Sequence, residues 1–263
     1  MHPEQPAIQQ QPDRQRGSSC HSGPFNVRRP SPVSYDDLRC GLAWARLGAR
    51  TDVMARGPDA VRFIDNFTTA AVSPLVVGAG TEGFFTDAKG WVIVLATILR
   101  TDDGVWIDAP AGAATSLHEH LEHYHIREQV ELTDESDLHR HFVIAGPQAA
   151  ACLAERSNTQ PPQGLLHHER CRLGDVPAEI VRVDWFGPDG YLVKVAAADE
   201  PRVGDWLRGQ GLARLEADGL EAARIEAGRP EPADIPEKTL PQELGRDARA
   251  ISFRSEEHTS ELQ

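Results

Sequence analysis

The sequence has no apolar run long enough to cross a membrane; the longest, Trp91 to Leu99, is broken by Thr97 and fits a buried strand. It also has no run of lysines or arginines. With 40 acidic residues against 27 basic ones, a formal net charge of −13 excludes nucleic acid as an electrostatically recruited partner. The four cysteines, Cys20, Cys40, Cys152 and Cys171, are irregularly spaced without a Cys-x-x-Cys pair. They supply neither a disulfide framework nor a structural zinc site. The first residues lack the apolar core of a signal peptide, and neither a G-x-S-x-G elbow nor a P-loop lysine is present. These absences lead to the expectation of a reduced, cytoplasmic protein without a membrane or nucleic-acid partner. The 40% hydrophobic and 25% charged content is that of an ordinary globular chain.

Periodicity divides the chain. Residues 1–30 are rich in Gln, Pro, Ser and Arg, cannot bury enough surface to offset their ordering entropy, and are expected to be disordered or an over-extended start. Tyr35 to Leu47 reads as a short helix or strand pair. Gly57-Pro58-Asp59 opens a helix carrying Val61, Ile64 and Phe67. Phe84-Phe85 and Trp91 to Leu99 read as strands joined by the turn Thr86 to Gly90, followed by a strand at Val105 to Ile107. Ala113 to Ile126 has Leu117, Leu121 and Tyr124 at helical spacing. Further strands are expected around Val130 and Leu132 and at Phe142 to Ile144, with a helix from Gln148 to Glu155 and a loop over 157–164. Ile180 to Val183 and Tyr191 to Val195 bracket the turn Gly187-Pro188-Asp189-Gly190 as a hairpin. Two helices complete the pattern between Asp205 and Ala227. Mixed helices and antiparallel pairs make this an α+β chain.

Two motifs invite chemistry. Gly78-Ala79-Gly80-Thr81-Glu82-Gly83 is a literal G-x-G-x-x-G, but a dinucleotide site needs those glycines at a helix start. Phe84 to Gly90 reads instead as strand and turn, so a glycine-rich lead into a hairpin is expected. His118, His120, His123 and His125 crowd one helix. The residue four beyond His118 is Glu122, which breaks the two-histidine metalloprotease spacing. A solvated histidine-rich face is expected there, and no metal.

The order of short motifs goes further. Arg56 to Phe63 (RGPDAVRF), Asp87 to Gly90 (DAKG), Ile144 to Pro147 (IAGP), Ala223 to Pro230 (ARIEAGRP) and Leu240 to Glu243 (LPQE) together resemble the folate-binding family of the glycine-cleavage T-protein, and its YgfZ-type branch in particular. The resemblance covers residues 33–253. It implies a cloverleaf whose first two domains interleave, with an inserted subdomain at about 56–145, and whose third, a carboxyl-terminal β-barrel domain, is missing. It also implies a reduced folate, tetrahydrofolate or a relative, as ligand, with Arg224, Tyr191, Asp87 and Lys89 as candidate contacts, and iron-sulfur proteins as partners. Two positions depart from the pattern. Where T-proteins carry the aspartate that positions folate for one-carbon transfer stand Val94 and Leu95, and the pterin-contacting glutamate corresponds to Leu192. An alkyl group cannot supply the charge and hydrogen bonds of a carboxylate. The expected role is therefore support of iron-sulfur cluster assembly or repair; the alternatives are a folate-dependent aminomethyltransferase and a non-catalytic interaction protein that kept the fold. Whether the chain is an enzyme stays open.

The last ten residues, Arg254 to Gln263, contain one aliphatic side chain, Leu262. The codons AGA TCG GAA GAG CAC ACG TCT GAA CTC CAG encode them in order, and that DNA resembles a sequencing-library adapter. The expectation is that the natural frame departs from this sequence after Phe253 and continues into the branch's Lys-Gly-Cys-Tyr signature.

Overall fold

A computed structural model describes residues 38–39, 41–157, 159–187 and 189–252. The expectations for residues 1–30, for Tyr35 and for Arg254 to Gln263 lie outside the described residues, as do Cys20, Cys40 and Pro188.

The elements in chain order are β1 (Ala43–Arg46), β2 (Arg50–Arg56), α1 (Ala60–Phe67), β3 (Gly80–Thr86), β4 (Val92–Arg100), β5 (Gly104–Pro110), α2 (Ala114–Tyr124), β6 (Glu131–Asp134), β7 (His139–Ala145), α3 (Ala149–Ser157), β8 (His168–Leu173), β9 (Val176–Val183), β10 (Gly190–Ala196), α4 (Glu200–Gly209), β11 (Ala213–Arg214), α5 (Ala217–Glu226) and a last turn of helix, α6 (Asp247–Ala250). They form two sheets. One runs β3-β4-β5-β2-β6; the other runs β11-β1-β7-β10-β9-β8. The whole first sheet lies in sequence between β1 and β7. All neighbouring pairs are antiparallel except β1 with β11, in keeping with a mixed α+β fold.

Both sheets are covered on two faces, which explains why their central strands read as near-continuous apolar runs rather than as alternating ones. On one side of β2, Val53 and Ala55 pack with Phe63 and Ile64 of α1 and with Leu117 and Leu121 of α2. On its other side Met54 meets Trp106, Leu99, Val143, Val181, Val183 and Leu192 between the sheets. The outer face of the six-stranded sheet packs Phe142, Ile144, Tyr191 and Val193 against Leu153 of α3 and against Val203 and Leu207 of α4.

The sequence-based expectations meet this structure unevenly. The β3–β4 hairpin turns on Asp87, whose carboxylate accepts the Lys89 and Trp91 backbone N–H groups at 2.8 and 2.9 Å. Within the glycine motif Gly80 starts a strand: a Cβ there would lie 2.7 and 2.9 Å from the Leu166 and Ile98 carbonyl oxygens, closer than packed atoms approach. The two helices expected between Asp205 and Ala227 are α4 and α5, but α4 starts earlier, at Glu200, and the short strand β11 separates them. Strand β8 was not expected, because only Cys171 and Leu173 in it face the core. The helix histidines are not a uniformly solvated face. His120 packs edge-on against Phe67 and Tyr124, and His125 packs against Phe63 while its Nε2 lies 2.9 Å from the Glu128 carbonyl oxygen. Aromatic rings on α1 supply apolar partners that the pattern of α2 alone does not reveal.

Candidate functional site

The space between the two sheets opens at one end, where the β1–β2 connection, the end of β5, the segment after β9 and helix α5 converge. Leu47, Gly48, Ala49, Arg50, Pro110, Ala111, Trp185, Phe186, Leu220, Glu221, Arg224, Arg229 and Glu231 line a cavity of about 230 Å³ there. A second cavity of about 330 Å³ shares Pro110 and Ala111 with the first and is bounded by Val92 to Leu95 and by residues of the segment 230–237.

Arginine and indole dominate the first cavity. Arg229 lies over the Trp185 ring at 3.9 Å and Arg50 lies 4.8 Å from its centroid, a cation–π arrangement that holds the indole plane. The Trp185 indole nitrogen is buried and has no hydrogen-bond acceptor among the described residues, an exception to the rule that buried donors are paired. Each arginine is balanced by acid. Arg50 donates Nε and Nη2 to the two Asp108 oxygens at 2.6 and 2.7 Å; burial lowers its pKa, and the Asp108 charge and hydrogen bonds more than reverse that. Arg229 and Arg246 both donate to Glu82 of β3, and burial, above all other influences, pushes the Arg229 pKa down to about 10.

Arg224 comes from the last turn of α5. Its guanidinium donates to Glu221, to Asp234 at 2.7 Å and to the Arg229 carbonyl oxygen, and the two carboxylates, Glu221 first, raise its pKa. It forms a wall of the cavity while its own donors serve neighbouring protein groups. Tyr191 points to the opposite face of the six-stranded sheet, fully buried among the α3 and α4 contacts, and its hydroxyl accepts from Arg182 at 3.2 Å. Asp87 and Lys89 sit in the β3–β4 turn, with the Lys89 ammonium 4.5 Å from the Trp91 ring centroid. Of these four residues, only Arg224 borders either cavity. Val94 and Leu95, both buried, border the second cavity, and Leu192 packs in the same apolar cluster as Trp185, Phe186 and Leu220.

Behind the arginine cavity runs a buried polar row that sequence reasoning missed. His168 of β8 lies 2.7 Å from Glu179 of β9, and Glu179 lies 3.4 Å from the Lys194 ammonium on β10. Lys194 is in register with His141 of β7, which lies 3.5 Å from Asp52 of β2. Asp52 accepts the Trp106 indole N–H at 2.7 Å. Burial works to raise the Asp52 and Glu179 pKa values, but neighbouring donors and cations outweigh it and leave both below the usual carboxylate range. The sequence signal was parity: Glu179, Lys194, His139 and His141 fall at the inward positions of their strands.

Two covered sheets, one lying in sequence within the other, thus meet at a cleft lined by arginines and a tryptophan. The model of the GCVT N-terminal domain matches residues 48–253, and the chain belongs to that family. Similar proteins include the gamma subunit of a heme-dependent oxidative N-demethylase from Ectopseudomonas mendocina, 29% identical over 175 residues, 65% of this chain and 46% of that protein. A mitochondrial aminomethyltransferase from Pisum sativum is 25% identical over 217 residues, 75% of this chain and 52% of that protein. The crystal structure of the glycine cleavage system aminomethyltransferase T from Bartonella henselae has the same fold, with a TM-score of 0.63 at 17% identity over 74% of this chain and 53% of that one. The chain thus spans about half the length of the curated relatives it matches.

Proposed function

We propose that this chain binds a reduced folate in the cleft between the sheets and does not itself carry out aminomethyl transfer. One observation carries the binding reading: Trp185 lines a cleft built from apolar groups, arginines and the carboxylates Glu221 and Glu231, and its buried indole N–H has no acceptor among the described residues. A heterocycle with carbonyl and ring-nitrogen acceptors suits that donor, and a site built to pair one hydrogen bond discriminates strongly against ligands that lack it. Leu47, Phe186 and Leu220 would enclose the ligand's apolar faces. Arg50 and Arg229 would fix the indole, and Arg224, tied to Glu221 and Asp234, would hold the α5 wall. A reduced folate, when bound, carries a one-carbon unit. Val94, Leu95 and Leu192 speak against transfer, because no carboxylate stands at those positions to position the ligand.

Within that reading the YgfZ-type role, support of iron-sulfur cluster assembly or repair, follows from the order of the short motifs and from these alkyl replacements. A second role is favoured by the likeness to an N-demethylase gamma subunit: a folate-binding component that receives the one-carbon product of an oxidative demethylase. Thermal melting of the full chain with tetrahydrofolate tests the shared part. A ligand that binds only the native state at 100 times its Kd stabilises by about 2.7 kcal/mol, and absence of any shift overturns the reading. The two roles separate in cells lacking this protein, where either iron-sulfur enzyme activities or oxidative N-demethylation falls.

A further inference from the structure

The chain contains three lysines, Lys89, Lys194 and Lys238. Lys194 is half-buried and paired with Glu179. The other two are exposed, come from distant parts of the sequence, and reach the same ring: the Lys89 ammonium lies 4.5 Å and the Lys238 ammonium 5.5 Å from the Trp91 ring centroid. Among the described residues neither forms an ion pair. Asp87, two residues before Lys89, turns its carboxylate to the Lys89 and Trp91 backbone N–H groups instead. Lys238 takes a left-handed backbone, φ 63°, which among the described non-glycine residues only Leu166 shares. Glycine adopts that conformation freely, whereas a residue with a Cβ does so at a cost. The segment is fixed there: the Thr239 carbonyl accepts the Val92 N–H at 2.9 Å and the Thr239 hydroxyl donates to the Pro236 carbonyl at 2.7 Å. A lysine held in a costly conformation over an indole marks its ammonium as the group that is wanted.

This basic pair stands beside the second cavity. Val92, which follows Trp91, and Glu237, which precedes Lys238, both line it. Most of its other walls are apolar, Ile93, Leu95, Pro232, Ile235 and Pro236 among them, and it shares Pro110 and Ala111 with the arginine cleft. We propose that Lys89 and Lys238 bind the carboxylates of a γ-linked glutamate tail on the folate, an inference that rests on the folate reading of the cleft. The surfaces follow the order of groups in such a ligand: the cleft for the heterocycle, the apolar cavity for the aminobenzoyl ring, and the two cations for the tail, where each added glutamate brings one negative charge. An ammonium on a flexible stem is a mobile point charge, which suits a flexible chain of carboxylates; one fixed planar anion calls for the fork of arginine. The Glu237 carboxylate disfavours negative charge within the cavity itself and so leaves the lysines as the tail's partners.

Isothermal titration of the full chain with tetrahydrofolate and with its triglutamate form tests the site. The expected result is that both bind and that the triglutamate binds at least about fivefold tighter. That gap should shrink in 1 M salt, where exposed charges are screened within about 3 Å. Lys89→Gln and Lys238→Gly should each narrow it, and the double variant should bring the two ligands to within about twofold of each other. Lys238→Gly removes the ammonium while relieving the left-handed backbone, so its urea midpoint should not fall and lost tail affinity cannot come from unfolding. Arg170→Gln, which removes an exposed cation on β8, should leave the gap as it was. Equal affinity for the two ligands in the native sequence, or a gap that survives the double variant, overturns this proposal while the cleft reading stands; absence of binding by either ligand overturns both.

Discussion

Replacing Glu82 by Gln keeps the side chain's volume and removes its charge. In the native protein Glu82 accepts from Arg229 and Arg246, and all three side chains are nearly inaccessible. The triad ties β3, at the heart of the glycine-rich motif, to the segment from Gly228, whose carbonyl accepts from Arg246 at 3.0 Å, through α6. Its Arg229 also covers Trp185 at 3.9 Å. Without the carboxylate two buried guanidinium groups face one another uncompensated. Breaking a buried pair from one side costs about 3–5 kcal/mol, a large share of the roughly 5–15 kcal/mol that holds a domain folded. At about 2–4 °C per kcal/mol for a chain of this size, the melting temperature should fall by about 6–20 °C. Urea unfolding followed by circular dichroism gives the free energy directly. The exposed Arg170–Asp102 pair, with side chains 72% and 61% accessible, is the control: Arg170→Ala should cost less than about 1 kcal/mol. A loss below about 1 kcal/mol for Glu82→Gln, or a loss that disappears in 1 M salt, where exposed charges are screened within about 3 Å, would refute the argument.

Gly80→Ala should destabilise by about 1–3 kcal/mol through overpacking, because its Cβ meets the Leu166 and Ile98 carbonyl oxygens; equilibrium unfolding reads the loss, and a neutral result would contradict the close approach. Leu192→Glu should cost about 2 kcal/mol or more by burying a carboxyl without a partner and should not create aminomethyl transfer; a stable variant that gained turnover would contradict the account. Acid should destabilise the fold in two stages. His139 is held below its usual pKa, first by burial and then by Lys194, so its contribution is full above about pH 6.5 and is lost as pH falls through the native value. Asp52 and Glu179, also depressed, contribute fully above about pH 5 and lose that contribution at lower pH. His139→Gln should flatten the unfolding free energy as pH falls below about 6.5, measured by urea titration across pH; an unchanged slope would contradict the assignment.

Where local chemistry decides the structure, the sequence was legible. Asp87 and Gly90 announce the β3–β4 turn, and Leu117 and Leu121 announce the buried side of α2. The G-x-G-x-x-G stretch was read as the lead into a hairpin, and Gly80 shows why a glycine stands there. The glycines drew attention from Glu82 between them, whose partners lie 147 and 164 residues further along and which no local pattern discloses. The same distance in sequence hides the polar row from His168 to Asp52, since each member looks like an ordinary charged residue on its own strand. His139 and His141 did carry a local signal, alternate spacing in a strand, that the denser histidines of α2 obscured. Strand β8 escaped because Glu169, Arg170 and Arg172 are exposed and only Cys171 and Leu173 in it are buried apolar residues. Val94, Leu95 and Leu192 were picked out by resemblance, and their burial supplies the physical reason why a carboxylate there would need a partner that the surrounding packing lacks.

The central claim, that the Trp185 cleft is a reduced-folate site, is tested most directly by isothermal titration of the full chain with tetrahydrofolate alongside Leu220→Trp. Leu220 lines the cavity and is only partly buried, so the larger ring fills the space without removing a charge. The account predicts one saturable site in the native sequence and binding at least about tenfold weaker in the variant, a difference of about 1.4 kcal/mol. Absence of saturable heat in the native sequence, or equal affinity in both proteins, would contradict it.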